Sequence, residues 1–203
     1  MSSHVFTSDW HLGHGFVAGL RGFESVSEHD EAVLASMAGL REPDIVWILG
    51  DLVGQARHFG AALERVAVLP GRKRLVLGNH DPAHPMHRNA ARWTPALAAV
   101  FEWWGTGAQL RPGVVLSHFP YTHDRGADGP RYPQWRLPDV GAILIHGHTH
   151  GRTRVWGREV HVGWDAWRRP VFDYELDFEA LRMLRGDLER AERFLIAADR
   201  YIK

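Results

Sequence analysis

The sequence predicts an α/β protein in which a largely parallel sheet is followed by shorter strands of mixed direction. Three observations carry this expectation. The first half alternates Val-, Ile- and Leu-rich runs with helical patterns, and strand–helix–strand in that order implies parallel pairing. From about residue 97 the apolar runs shorten and are separated by Gly and Pro turns. Five of the runs also end in a polar cluster rather than in an ordinary turn.

Taken in order, "HVFTSD", "DIVWILGD" and "RLVLGNHD" read as strands. Between the first two, "SVSEHDEAVLASMAGL" reads as a helix: Ser27 with Asp30 resembles a capping box, and Val33, Met37 and Leu40 keep helical spacing. Between the second and third, "ARHFGAALERVAVL" reads as another helix. The later strands are expected in "AVFEWW", "AQLR", "GVVLSHF", "AILIHGH", "RTRVW", "REVHV" and "PVFDYE". Residues 119–141 form a long irregular stretch, rich in Arg and aromatics, that reads as a folded wall or lid. Residues 177–201 close the chain as an amphipathic helix, with Phe178, Leu181, Leu184, Leu188, Ala191 and Leu195 on one stripe. The whole, 1–203, is expected to be one domain.

Composition narrows the chemistry. Cysteine is absent, which excludes disulfides and thiolate metal sites. With no secretory pattern at the start and no apolar run of about 18 residues, the expected setting is cytoplasmic, away from membranes. Lys+Arg and Asp+Glu balance at 24 each, so there is no strong nucleic-acid-binding signature. The 14 histidines, however, invite a metal reading, because neutral imidazole is the commonest metal ligand.

The five polar clusters are "TSDWH", "LGDLVG", "LGNHD", "LSHFP" and "HGHTHG". Each follows a strand, and open α/β sheets put their sites beyond the carboxyl ends of strands, so the five are expected to converge. The order D-x-H, G-D-x-x-G, G-N-H-D, H, G-H-x-H resembles the calcineurin-like metallophosphoesterase superfamily. Finer features, "DWHLGHG…RGF", "SHFPY" and "HVGWDAW", resemble a small subgroup found in phages and bacteria. The family often shows R-P-F where this chain has Arg21-Gly22-Phe23.

The resemblance implies two mixed β-sheets packed face to face and flanked by helices, an αββα sandwich. It also implies two divalent metal ions: Asp9, His11 and His150 on one, Asn79, His118 and His148 on the other, and Asp51 bridging. Two cations roughly 3.5–4 Å apart need such an anionic bridge. A mixed O and N ligand set without sulfur suits Mn, Fe, Co, Ni or Zn, with Mn²⁺ first by family analogy. A hydroxide made from bound water would attack phosphorus, with His80 protonating the leaving oxygen and Asp81 orienting the His80 ring. His146, one step before the ligands, is expected to be packed or hydrogen-bonded.

The expected substrate is a small phosphodiester, nucleotide-like, such as a 2′,3′-cyclic nucleotide. Arginine grips phosphate and aromatics stack on bases, which draws attention to the long stretch and to Trp164, Trp167, Arg168 and Arg169. His14, Arg21, His123 and Arg125 are the expected substrate contacts. The alternatives are a phosphomonoesterase or protein phosphatase on the same site, or a metal-binding regulatory protein without turnover.

Overall fold

A computed structural model describes residues 2–121 and 131–178. Its strands, in chain order, are β1 (His4–Thr7), β2 (Ile45–Ile48), β3 (Arg72–Val76), β4 (Trp103–Gly105), β5 (Gly107–Arg111), β6 (Val114–Ser117), β7 (Ile143–His146), β8 (Val155–Trp156), β9 (Glu159–His161) and β10 (Val171–Phe172). The helices are α1 (Gly15–Leu20), α2 (Val26–Ala35), α3 (Phe59–Ala67), α4 (Thr94–Ala98) and α5 (Trp164–Trp167).

The strands form two five-stranded sheets, ordered β10-β1-β2-β3-β4 and β5-β6-β7-β9-β8. In the first, β1 to β4 run parallel and β10 is antiparallel to β1. In the second, β6, β7 and β9 run parallel and the edge strands β5 and β8 are antiparallel. Both sheets are therefore mixed, as the resemblance implied.

Alternation along each strand explains the layering. Val5, Val46, Ile48 and Leu75 join a core with Val33 of α2, Phe59, Leu63 and Val66 of α3, and Leu97 of α4. Their strand neighbours Phe6, Trp47, Leu49 and Val76 point the other way, into a second core with Val114, Leu116, Ile143, Ile145 and Val160. The first sheet is thus buried on both faces, between helices and the second sheet. Each fully buried side chain of this size contributes about 1.5–3 kcal/mol.

Several expectations change. The cap of α2 is Ser25, whose Oγ accepts from Glu28 N at 3.1 Å while the Glu28 carboxylate accepts from Glu24 N. Ser27 lies inside the helix, and Asp30 is turned inward instead, accepting from Gly13 N. Met37 and Leu40 are buried but follow the end of the helix at Ala35. Trp164 and Trp167 belong to the two cores, so neither is a stacking platform for a base. The short helices α1, α4 and α5 have no counterpart in the sequence reading, because each is too short to show a period. The expected C-terminal helix falls outside the described residues, apart from its first positions. Among the described residues, no helix is long and apolar enough to cross a membrane.

Candidate metal centre

The parallel strands β1, β2, β3, β6 and β7 deliver five loops to one edge of the sandwich. Asp9 and His11 follow β1, Asp51 follows β2, Asn79 and His80 follow β3, His118 follows β6, and His148 and His150 follow β7. These loops turn sharply. Asp9, His11, Asp51, His148 and His150 all have left-handed backbones, with φ of 59°, 51°, 54°, 73° and 51°. Asp and His tolerate that region better than β-branched residues, but it still costs about 1–3 kcal/mol at each position. Only Tyr132 and Arg168 share the feature among the other described non-glycine residues.

Glycine makes the close approach possible. A Cβ on Gly147 would collide with Ser8 Oγ and stand 2.6 Å from Asp9 Oδ2, and one on Gly78 would strike the Asp51 carboxylate. The chain turns at Gly147, so His148 and His150 reach the centre from a loop and not from a strand face. His146 stays in β7, buried, with Nδ1 2.8 Å from Gly147 O. Burial holds its pKa well below the usual value, so it is neutral.

Two groups of ligand atoms result. Asp9, His11, Asp51 and His150 bring one atom each within 4.8 Å of one another, and so do Asp51, His118 and His148. Asp51 is common to both, with Oδ2 3.6 Å from His11 Nε2 and 3.4 Å from His118 Nε2. Asn79 Oδ1 lies 3.2 Å from His118 Nε2, which places the amide in the second group.

The donor set fits cations. His118 Nδ1 donates to Leu49 O at 2.7 Å, so in a neutral ring Nε2 carries a lone pair, facing the Asn79 and Asp51 oxygens. His150 Nδ1 donates to Asp165 at 2.8 Å, which leaves its Nε2 lone pair 3.0 Å from His11 Nε2. Lone pairs converging at such distances repel unless a positive charge sits among them. The proton affinities say the same. Burial works against a charged His118, yet Asp51 pushes its pKa up to about 9. Burial likewise opposes ionisation of Asp51, yet the adjacent His118 holds its carboxyl well below the usual range. A spot that attracts a proton this strongly attracts a divalent cation on the same grounds.

Around this centre the remaining expected residues take different places. His80 is exposed; its backbone N–H donates to Asp51 Oδ1 at 2.9 Å and its ring stands 5.1 Å from that of His11. Asp81 does not orient His80. Its oxygens accept from Gly78 N, Asp51 N and Leu52 N at 2.8–3.0 Å, tying the loops after β2 and β3 together. His14 caps α1, with Nδ1 accepting from Val17 N, and lines the adjacent pocket.

Arg21 is corrected from substrate contact to brace. All five of its N–H donors are engaged: Nε and Nη2 on Asp165, Nη2 also on Asp9 O, and Nη1 on Trp10 O and His29. His123 and Arg125 lie outside the described residues. Two residues were missed in the sequence. Asp165, inside the quoted "HVGWDAW", holds His150; Arg131, in the long stretch, brings Nη2 to 3.3 Å from His148 Nε2. A carboxylate near a histidine ligand has no sequence spacing of its own, so only the fold reveals it.

His11, His80, His150 and Asp165 open onto a pocket of about 510 Å³, whose lining includes α1. That volume lies in the usual range for small-molecule sites.

Comparison with known proteins agrees with this geometry. A family model described as calcineurin-like phosphoesterase matches residues 4–152. The gene 66 protein of Mycobacterium phage L5 is 44% identical over 191 residues, covering 84% of this chain and 90% of the phage protein. The gene 66 protein of Mycobacterium phage D29 is 44% identical over 204 residues, covering 93% and 98%. Among solved structures, a protein of unknown function from Aquifex aeolicus matches with a TM-score of 0.64 at 22% identity, over 87% of this chain and 98% of that one. That likeness shows the shared fold alone.

Proposed function

The chain belongs to the calcineurin-like phosphoesterases, metal-dependent hydrolases of phosphoric esters, and on that premise we propose that it cleaves small nucleotide-like phosphodiesters. 2′,3′-Cyclic nucleotides are the first candidates. The observation that carries the reading is the convergence of the two ligand groups, sharing Asp51, beside an open pocket that also exposes His80.

In this reading Asp9, His11 and His150 hold one divalent ion, Asn79, His118 and His148 hold the other, and Asp51 serves both. When bound, the pair polarises the phosphoryl oxygens and lowers the pKa of water towards neutrality. Mn²⁺ is the expected metal, with Fe, Co, Ni or Zn compatible with the same oxygen and nitrogen donors. The chain's own residues do the rest. His80, with its backbone anchored on Asp51, protonates the leaving oxygen from the pocket side. Arg131, beside His148, supplies positive charge where phosphate oxygens gather. Asp81 keeps the β2 and β3 loops in register, and the Arg21–Asp165 pair keeps the β1 and β7 loops so. The cysteine-free sequence supports a cytoplasmic setting.

The test is hydrolysis by metal-stripped protein before and after Mn²⁺ is restored. The panel holds a chromogenic diester, a chromogenic monoester, 2′,3′-cyclic AMP and 3′,5′-cyclic AMP, with Asn79→Ala as control. Metal-dependent activity that favours the diesters and disappears in the variant is the expected result. Preference for the monoester would replace the diester reading, and two bound ions without turnover would point to a regulatory protein.

A further inference from the structure

The geometry points to a second anion subsite beside the metal centre: we propose that the preferred ester carries an aromatic base and, besides the scissile phosphate, a second phosphate. This rests on the phosphoesterase reading above and narrows its substrate class.

The first ground is charge. Arg152 and Arg168 line the same pocket as His11 and His80, and both are exposed. Among the described residues neither guanidinium has a hydrogen bond or an ion pair; Arg168 only lies over the Trp164 ring, 4.4 Å from its centroid. Other arginines are matched by carboxylates: Arg41 by Asp44, Arg72 by Glu102, Arg158 by Asp139 and Arg169 by Glu175. The one carboxylate in the pocket, Asp165, is already committed to Arg21 and His150. Two cations without a counter-ion in one concave site attract an anion. The scissile phosphate does not exhaust that attraction, because its charge is met at the metal centre.

The second ground is shape and surface. Phe16 and Leu20 stand one helical turn apart on α1, line this pocket, and are each 72% exposed. An aromatic left uncovered next to unpaired guanidinium groups suits a base with a phosphorylated sugar. The pocket, about 510 Å³, is far larger than one phosphate group requires.

The test is calorimetric titration of Mn²⁺-loaded protein with adenosine 5′-monophosphate and with adenosine 3′,5′-bisphosphate. The expected result is binding of the bisphosphate about tenfold or more tightly, with the difference abolished in the double variant Arg152→Gln/Arg168→Gln. Phe16→Ala, at an exposed position that leaves the fold intact, is expected to weaken both nucleotides and preserve their ratio. Equal affinities in the wild type, a preference that survives in the double variant, or no binding of either nucleotide would overturn the proposal. Equal weakening of both nucleotides in the double variant would also overturn it, because the arginines would then serve the scissile phosphate. Bisphosphate preference without hydrolysis of any ester would sink the diesterase reading and leave the subsite standing. Diester turnover without the preference would do the reverse.

Discussion

The Asp165 carboxylate accepts the Nδ1 proton of His150 at 2.8 Å while its two oxygens take Nε and Nη2 of Arg21 at 2.8 and 2.6 Å. Arg21 in turn grips the backbone carbonyls of Asp9 and Trp10. One buried guanidinium therefore connects the loop after β1 to α5, and through Asp165 sets the tautomer and orientation of a histidine from the loop after β7. Burial disfavours the charged carboxylate, but His150 and Arg21 hold the Asp165 pKa well below the usual range. A carboxylate in this position makes the opposite ring nitrogen a better ligand.

Asp165→Asn keeps the shape and removes the charge. It is expected to weaken Mn²⁺ binding about 10–100-fold, read by titration of the metal-stripped protein. An unchanged affinity would show that His150 needs no such support.

His80→Ala tests proton delivery to the leaving oxygen. Loss of rate should be about 10²–10⁴-fold for esters with a poor, alcohol-like leaving group and far smaller for a p-nitrophenyl ester, whose leaving group needs no proton. A leaving-group series in the variant and the wild type gives the answer. Equal losses across the series would assign His80 to binding instead.

Asp81→Ala strips the acceptor from three buried backbone N–H groups, of Gly78, Asp51 and Leu52. The expected cost is about 2–4 kcal/mol in denaturant unfolding, together with loss of metal binding as the Asp51 loop loosens. Were Asp81 merely a partner of the His80 ring, stability would stay at the wild-type value.

Asp44 gives a pH dependence away from the site. Its buried carboxylate takes Arg41 Nη2 at 2.7 Å and Arg41 Nε at 3.1 Å, and also accepts from Ser3 N and Arg41 N. The Arg41 side chain, backed by the Ser3 and Arg41 amides, outweighs burial and holds the pKa at about 2. Because the folded pKa lies below the unfolded one, this contribution is complete above about pH 4 and disappears as pH falls through about 2. It amounts to about 1–2 kcal/mol once the exposure of Arg41 to solvent is allowed for. Asp44→Asn should lose that stability at neutral pH, and the gap between variant and wild type should close in acid.

The sequence by itself determined the architecture and the membership of the site. Strand positions were legible because β1, β2, β3, β6 and β7 are short, strongly apolar runs, and strand direction followed from the helices between the first three. The site residues were legible because Asp9, His11, Asp51, Asn79, His80, His118, His148 and His150 each come directly after such a run. A residue one or two steps beyond the end of a parallel strand has little choice about where it lies.

Only the tertiary structure decided what each polar neighbour does. Asp81 sits beside His80 in the chain, yet its carboxylate serves amides of three loops; Arg21 looked like a free cation and is spent on five protein acceptors. Arg152 and Arg168 were ordinary basic residues until the pocket placed them together without counter-ions. The physical reason is one of range. Apolar patterning and strand-end position are local properties, written within a few residues. Hydrogen-bond partnership is settled by loops that are remote in sequence, such as Arg21 and Asp165, and a buried donor takes whichever acceptor the packing brings to it.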